Sequence, residues 1–137
     1  MLQLLIGKKG TGKTKVLLES VNKAAGEAHG NVIFISNNTG KNMYDINTKV
    51  RMADTSEFAI DTWSEFLGFI GGIISSNFDI TNIYVDGTLK IVNNSIDGFE
   101  QFLNDVDEIG KKFNIDIMLS VSMDVVDAPE YVKKYVK

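Results

Sequence analysis

The chain has 137 residues, 44% of them hydrophobic and 23% charged, with a formal net charge of −4 and a pI near 4.9. That is a globular composition sized for a single domain over residues 1–137, and its acidic balance argues against autonomous nucleic-acid binding. With no cysteine, disulfides, thiolate metal sites and a cysteine nucleophile are excluded.

Leu2-Gln3-Leu4-Leu5-Ile6 reads as a short buried strand. No basic, apolar leader precedes it, so the expected location is the cytoplasm. The strand runs into Gly7-Lys8-Lys9-Gly10-Thr11-Gly12-Lys13-Thr14, which satisfies G-x-x-x-x-G-K-[ST]. At this composition an accidental match is expected in roughly 1% of such chains. The string carries a mechanism. Backbone N–H groups converge on nucleotide phosphates, Lys13 reaches the outer phosphates, and the Thr14 hydroxyl ligates Mg²⁺. Glycines allow the backbone to approach, and the following helix turns its positive end toward the anion. Lys8 and Lys9 add positive potential but are read as solvent-facing.

Residues 13–28 are predicted to be helical, with Leu17, Val21, Ala24, Ala25 and Ala28 on one face. Asn31-Val32-Ile33-Phe34-Ile35-Ser36 is the second strand. Residues 37–61 are irregular, and two extended pieces, around Met43-Tyr44 and Val50-Arg51-Met52-Ala53, are read as a hairpin. Thr62, with Glu65 three residues on, has the capping-box pattern. The helix it opens shows a stripe of Trp63, Phe66, Leu67, Ile70, Ile73 and Ile74. The longest apolar run, residues 66–74, is too short to span a bilayer.

The third strand, Asn82-Ile83-Tyr84-Val85-Asp86, stays apolar until it ends in a carboxylate before Gly87. A magnesium-nucleotide site needs such an acid opposite its phosphate loop, although Asp-Gly is also a common turn pair. Ser95 or Asn94 is expected to cap the next helix, with a stripe of Ile96, Phe99, Phe102, Leu103, Val106, Ile109 and Phe113. Asp97 suits its first turn. Ile115 to Ser122 is the fourth strand, and Asp127-Ala128-Pro129-Glu130 opens a last short helix. The alternation of strands and helices implies a parallel sheet covered on both faces.

With the loop at 7–14 and the strand ending at Asp86, the chain resembles the P-loop NTPase superfamily. Within it, the chain is similar to the additional-strand branch that contains RecA-like, AAA-type and secretion ATPases. The resemblance implies a three-layer α/β/α fold with about four strands in the order 1-4-3-2, the strand at 116–122 lying between those at 2–6 and 82–86. Residues 2–6 would then be an edge, expected to be covered by the C-terminal helix or a second subunit. The resemblance also implies ATP and Mg²⁺ as ligands, Thr14 and Asp86 as metal ligands, Lys13 and Asp86 in catalysis, and a sensor at Ser120 or Ser122. A protein partner or homo-oligomer is expected, and no membrane span.

The departures concern hydrolysis. Members of the branch place a catalytic Glu after the strand-ending Asp or after the second strand; here those positions hold Gly87 and Asn37-Asn38. Asp45, Asp97, Glu100 and Asp124 remain as candidate bases, each also readable as a solvated or capping acid. His29 is read as a surface residue. Lysines number thirteen, but Arg51 is the lone arginine, and bidentate phosphate clamps and transition-state fingers ordinarily use arginine. The expected function is a weak or partner-activated ATPase. The alternatives are a non-hydrolysing nucleotide-dependent interaction module and a small P-loop kinase, the last disfavoured because no arginine follows residue 86 to serve a lid. ATP is preferred to GTP because no N-K-x-D string is present.

Overall fold

The computed structural model describes residues 1–136; Lys137, the last residue of the expected domain, lies outside the described residues. Five strands, β1 (Leu2–Gly7), β2 (Asn31–Ser36), β3 (Arg51–Asp54), β4 (Ile80–Val85) and β5 (Asp116–Ser122), form one sheet in the order β1-β5-β4-β2-β3. Every pairing is parallel. Such strands are buried on both faces and therefore read as continuous apolar runs. In β2, residues 32–36 are all buried.

One face of the sheet packs against α2 (Trp63–Ser75), α3 (Thr88–Ile91) and α4 (Phe99–Phe113). Its core joins Ile33, Ile35, Ile83, Val85, Ile117 and Leu119 to an aromatic cluster from the helices. Trp63 and Phe66 lie 4.7 Å and 5.3 Å from Phe102 between ring centroids, separations at which aromatic pairs contribute roughly 0.5–1.5 kcal/mol beyond their buried area. The other face is covered by α1 (Lys13–Glu27), whose Leu17 and Val21 are fully buried against Phe34 and Tyr84.

The expected order of the first four strands holds, with the strand at 116–122 between those at 2–6 and 82–86. The fifth strand corrects the reading of residues 43–53 as a hairpin. Residues 43–45 form a 3-10 turn, and Arg51–Asp54 pairs parallel to β2 as a new edge. A parallel neighbour needs a crossover of a dozen or so residues, and residues 37–50 supply it without a long helix. Ile46 and Val50 anchor that crossover in the α1-side core. The Asn22 amide clamps it from α1, donating to the Asp45 carbonyl at 2.8 Å and accepting from the Asn47 N–H at 2.8 Å.

The capping box is present at α2. The Thr62 hydroxyl accepts from the Glu65 N–H at 3.1 Å, and the Glu65 carboxylate accepts from the N–H groups of Thr62 and Asp61. Thr62→Ala should therefore lower stability by about 1 kcal/mol in urea titrations, with an unchanged slope.

At α4 the expectation fails. The helix starts at Phe99 with Gly98 before it, not at a Ser95 or Asn94 cap, and Asp97 lies outside its first turn. Ile96 and Phe113 are left partly exposed. The Ser95 carbonyl instead accepts the Trp63 indole N–H at 3.0 Å, and Asn93 and Asn94 take positive φ to end α3. The β1 edge is covered by the C-terminal segment. The Leu4 N–H donates to the Tyr135 carbonyl at 2.9 Å, Val136 bridges Leu4, and Val132 of α5 (Glu130–Lys133) is fully buried. Among the described residues, no helix is long and apolar enough to cross a membrane.

Candidate functional site

Parallel order puts the C-terminal ends of all five strands on one side, and loops there share a common rim. Residues 7–14 leave β1 at that rim. A tight turn closes on the Lys8 carbonyl, which accepts from the Thr11 N–H at 3.2 Å, the Thr11 hydroxyl at 2.7 Å and the Lys13 ammonium at 2.9 Å. Gly10 and Gly12 take φ of +86° and +88°, a region that favours glycine. Gly12 also stands directly before α1, whose first turn has neither a capping side chain nor an acidic residue. Its leading N–H groups are thus left without an acceptor from a cap, in contrast to the fully capped α2.

Asp86 follows the last residue of β4, next but one to β1, with β5 between them. Its N–H donates to the Ile35 carbonyl at 2.9 Å, which fixes the backbone. The carboxylate Oδ1 accepts from the Ser120 hydroxyl at 3.0 Å and from the Thr14 hydroxyl at 3.4 Å. Ser120, almost fully buried on β5, also accepts the Gly87 N–H at 2.9 Å. Of the two serines named as a sensor, Ser120 therefore meets Asp86, while Ser122 lies on the wall of the same cleft. Lys13, Thr14 and Asp86, distant in sequence, meet in that cleft of about 380 Å³ together with Lys9, Gly10, Gly12 and Gly87.

The donor set suits a magnesium-nucleotide. Thr14 and Asp86 offer hard oxygen ligands, and no cluster of three acidic or histidine side chains occurs among the described residues. A cation held by so few protein oxygens must complete its shell with water and phosphate, as Mg²⁺ does. Burial lowers the affinity of Lys13 for its proton; Asp86 opposes this and Lys90 adds to it, with a net downward shift.

Two residues in the cleft were not singled out in the sequence: Lys41, on the turn after β2, and Lys90, on α3. Neither belongs to a motif, although a helical turn opening at Gly87 necessarily carries residue 90 back over the strand end. None of the four candidate bases lines the cleft. Asp45 lies on the crossover clamped by Asn22, and Glu100 lies in the first turn of α4. Asp124 pairs with Lys8 at 3.3 Å and accepts the Val126 N–H, so Lys8 turns outward while Lys9 lies at the cleft. His29 and Arg51 precede or begin their strands, at the end of the sheet opposite the rim.

Asp54 ends β3 and was also missed. Burial pushes its pKa up, but hydrogen bonds from Ser56 and Thr39 outweigh that and hold it below the usual carboxylate range. Its oxygens accept from the N–H and hydroxyl of both residues, so it fixes the Thr39–Lys41 turn and has no free lone pair directed at the cleft.

No protein-family model matches the sequence, and no curated protein matches it. Among solved structures, the chain is similar to a KaiC-like protein from the hyperthermophilic archaeon Pyrococcus horikoshii, with a TM-score of 0.67 and 16% sequence identity. The likeness covers 98% of this chain but 66% of that one, so this chain spans just under two thirds of its neighbour's length. At that identity the likeness bears on architecture alone. The chain shares the α/β architecture of that KaiC-like protein, here a five-stranded parallel sheet with helices on both faces.

Proposed function

We propose that the chain binds Mg-ATP at residues 7–14 and hydrolyses it weakly, or only when a partner activates it. The observation that carries this reading is the meeting of Lys13, Thr14 and Asp86 at one cleft, beneath an uncapped helix terminus. In this reading the loop from Gly7 through Lys8, Lys9, Gly10, Thr11 and Gly12 supplies N–H donors to the phosphates. Lys13 leaves the Lys8 carbonyl to neutralise the outer phosphates, and Thr14 and Asp86 hold the cation. The metal, when bound, supplies Lewis-acid neutralisation of phosphate charge. Ser120 keeps the Asp86 carboxylate aimed at it.

A second reading has one observation in its favour. Asp86 is the sole carboxylate among the residues lining the cleft, and it is committed to the metal side. A module that binds nucleotide as a switching ligand without turnover would need no other acid.

The test of the site is magnesium dependence. Titration calorimetry should give tighter ATP binding with Mg²⁺ than with EDTA for the wild-type chain, and Asp86→Asn should remove most of that difference. If magnesium helps the variant as strongly as the wild type, Asp86 is a turn residue and the metal site fails.

A further inference from the structure

The cleft carries more positive charge than the 7–14 loop accounts for. Lys9, Lys13, Lys41 and Lys90 all line it against the single carboxylate of Asp86, in a chain whose formal net charge is −4. Among the described residues, none of these four lysines makes an ion pair, whereas Lys8 just outside is paired to Asp124. Lys90 approaches from the Asp86 side. Its N–H bonds the Gly87 carbonyl at 3.0 Å, and its stem lies over Gly87, Cδ standing 3.4 Å from where a Cβ on that residue would be. Its charge is felt at Lys13 across the cleft. Like charges held together without a counterion repel, and an anion placed between them removes the repulsion.

We propose that Lys90 is a specificity-determining residue that reads the terminal phosphate, so that the site prefers a nucleoside triphosphate to the diphosphate. The inference rests on the nucleotide-site reading above and extends it. The loop and the start of α1 can engage the inner phosphates, and Lys13 bridges outward. Lys90 lies over Gly87 on the Asp86 side of the cleft, and in this reading it meets the outer end of the phosphate chain. The chain's single arginine, Arg51, begins β3 at the other end of the sheet. Charge on this side of the cleft is therefore delivered by a lysine of the chain itself, acting as a point charge and not as a bidentate fork.

Calorimetric titration with Mg-ATP and with Mg-ADP tests this on wild type, Lys90→Gln, Lys90→Arg and Lys13→Ala. Lys90 is solvent-exposed, so its variants should keep the wild-type melting temperature. Lys90→Gln should lose about fivefold in ATP affinity and less than twofold in ADP affinity, a size suited to one exposed ion pair. Lys90→Arg should restore the ATP preference, and Lys13→Ala should weaken both ligands. Equal loss for ATP and ADP in Lys90→Gln, or no loss at all, overturns the role of Lys90 and leaves the site standing. A wild-type chain that binds neither nucleotide overturns both.

Discussion

Lys13→Ala should weaken Mg-ATP binding at least tenfold while leaving the fold intact. The ammonium is positioned within the loop at residues 7–14, where it donates to the Lys8 carbonyl at 2.9 Å and faces the cleft shared with Asp86. A charge-assisted hydrogen bond to phosphate is worth roughly 1.5–3 kcal/mol, and each 1.4 kcal/mol is about tenfold in affinity. The side chain contributes little to folding, because Lys13 is only half-buried and belongs to neither hydrophobic cluster. Its partly desolvated position lowers its affinity for a proton and raises what an incoming anion can gain from it. Calorimetry on the two proteins measures the ratio directly, with urea unfolding as the control on stability. Equal affinities would remove the phosphate-site reading.

The strands legible in the sequence are runs dominated by apolar residues. Residues 2–6, 31–36, 82–86 and 116–122 have helices packed against both faces of the sheet, most completely in β2, where residues 32–36 are all buried. β3 was legible as an extended piece at 50–53, but was placed in a hairpin and not in the sheet, because it is short, carries Arg51 and Asp54 at its ends, and sits at an edge where a long apolar run is not required. The start of α4 escaped because Ile96 continues the helical stripe while the backbone does not follow it. There, the Ser95 carbonyl is taken by Trp63, and the chain turns through Gly98 at φ +94°.

The loop lysine and threonine were visible because their spacing is fixed by a continuous backbone. Asp86 was visible because a carboxylate terminating an apolar strand contrasts with everything before it. Lys41 and Lys90 were not, since each depends on a short turn whose orientation arises from tertiary contacts. Asp54 fixes the first turn through Thr39, and the Gly87 carbonyl opens the second.

The purified chain should turn over Mg-ATP more slowly than about one per minute, a barrier of roughly 20 kcal/mol. Hydrolysis needs a group that orients the attacking water and positive charge that meets the γ-phosphate in the transition state. Of the two positions where members of the resembled branch carry the water-orienting Glu, the first is Gly87, which has no side chain and whose N–H is used by Ser120. The second is Asn37-Asn38, where the Asn38 N–H folds back on the Ser36 hydroxyl and the cleft receives a lysine, Lys41, in place of an acid. Asp45, Asp97, Glu100 and Asp124 are absent from the cleft wall. Lysines supply charge around the phosphates, which favours binding of the ground state along with the transition state, and uniform binding does not raise the rate of the chemical step. Arg51 begins β3, at the end of the sheet away from the cleft, so it can act as a finger only on another subunit. Arg51→Ala should accordingly leave the rate of the isolated chain unchanged. A finger supplied by another protein or subunit is worth about 10³–10⁵ in rate, so an activating partner would move turnover into the range of ordinary ATPases. Steady-state phosphate release on the pure protein decides the matter. A rate of several per second from the chain alone would contradict the account and would require one of the four acids to swing into the cleft.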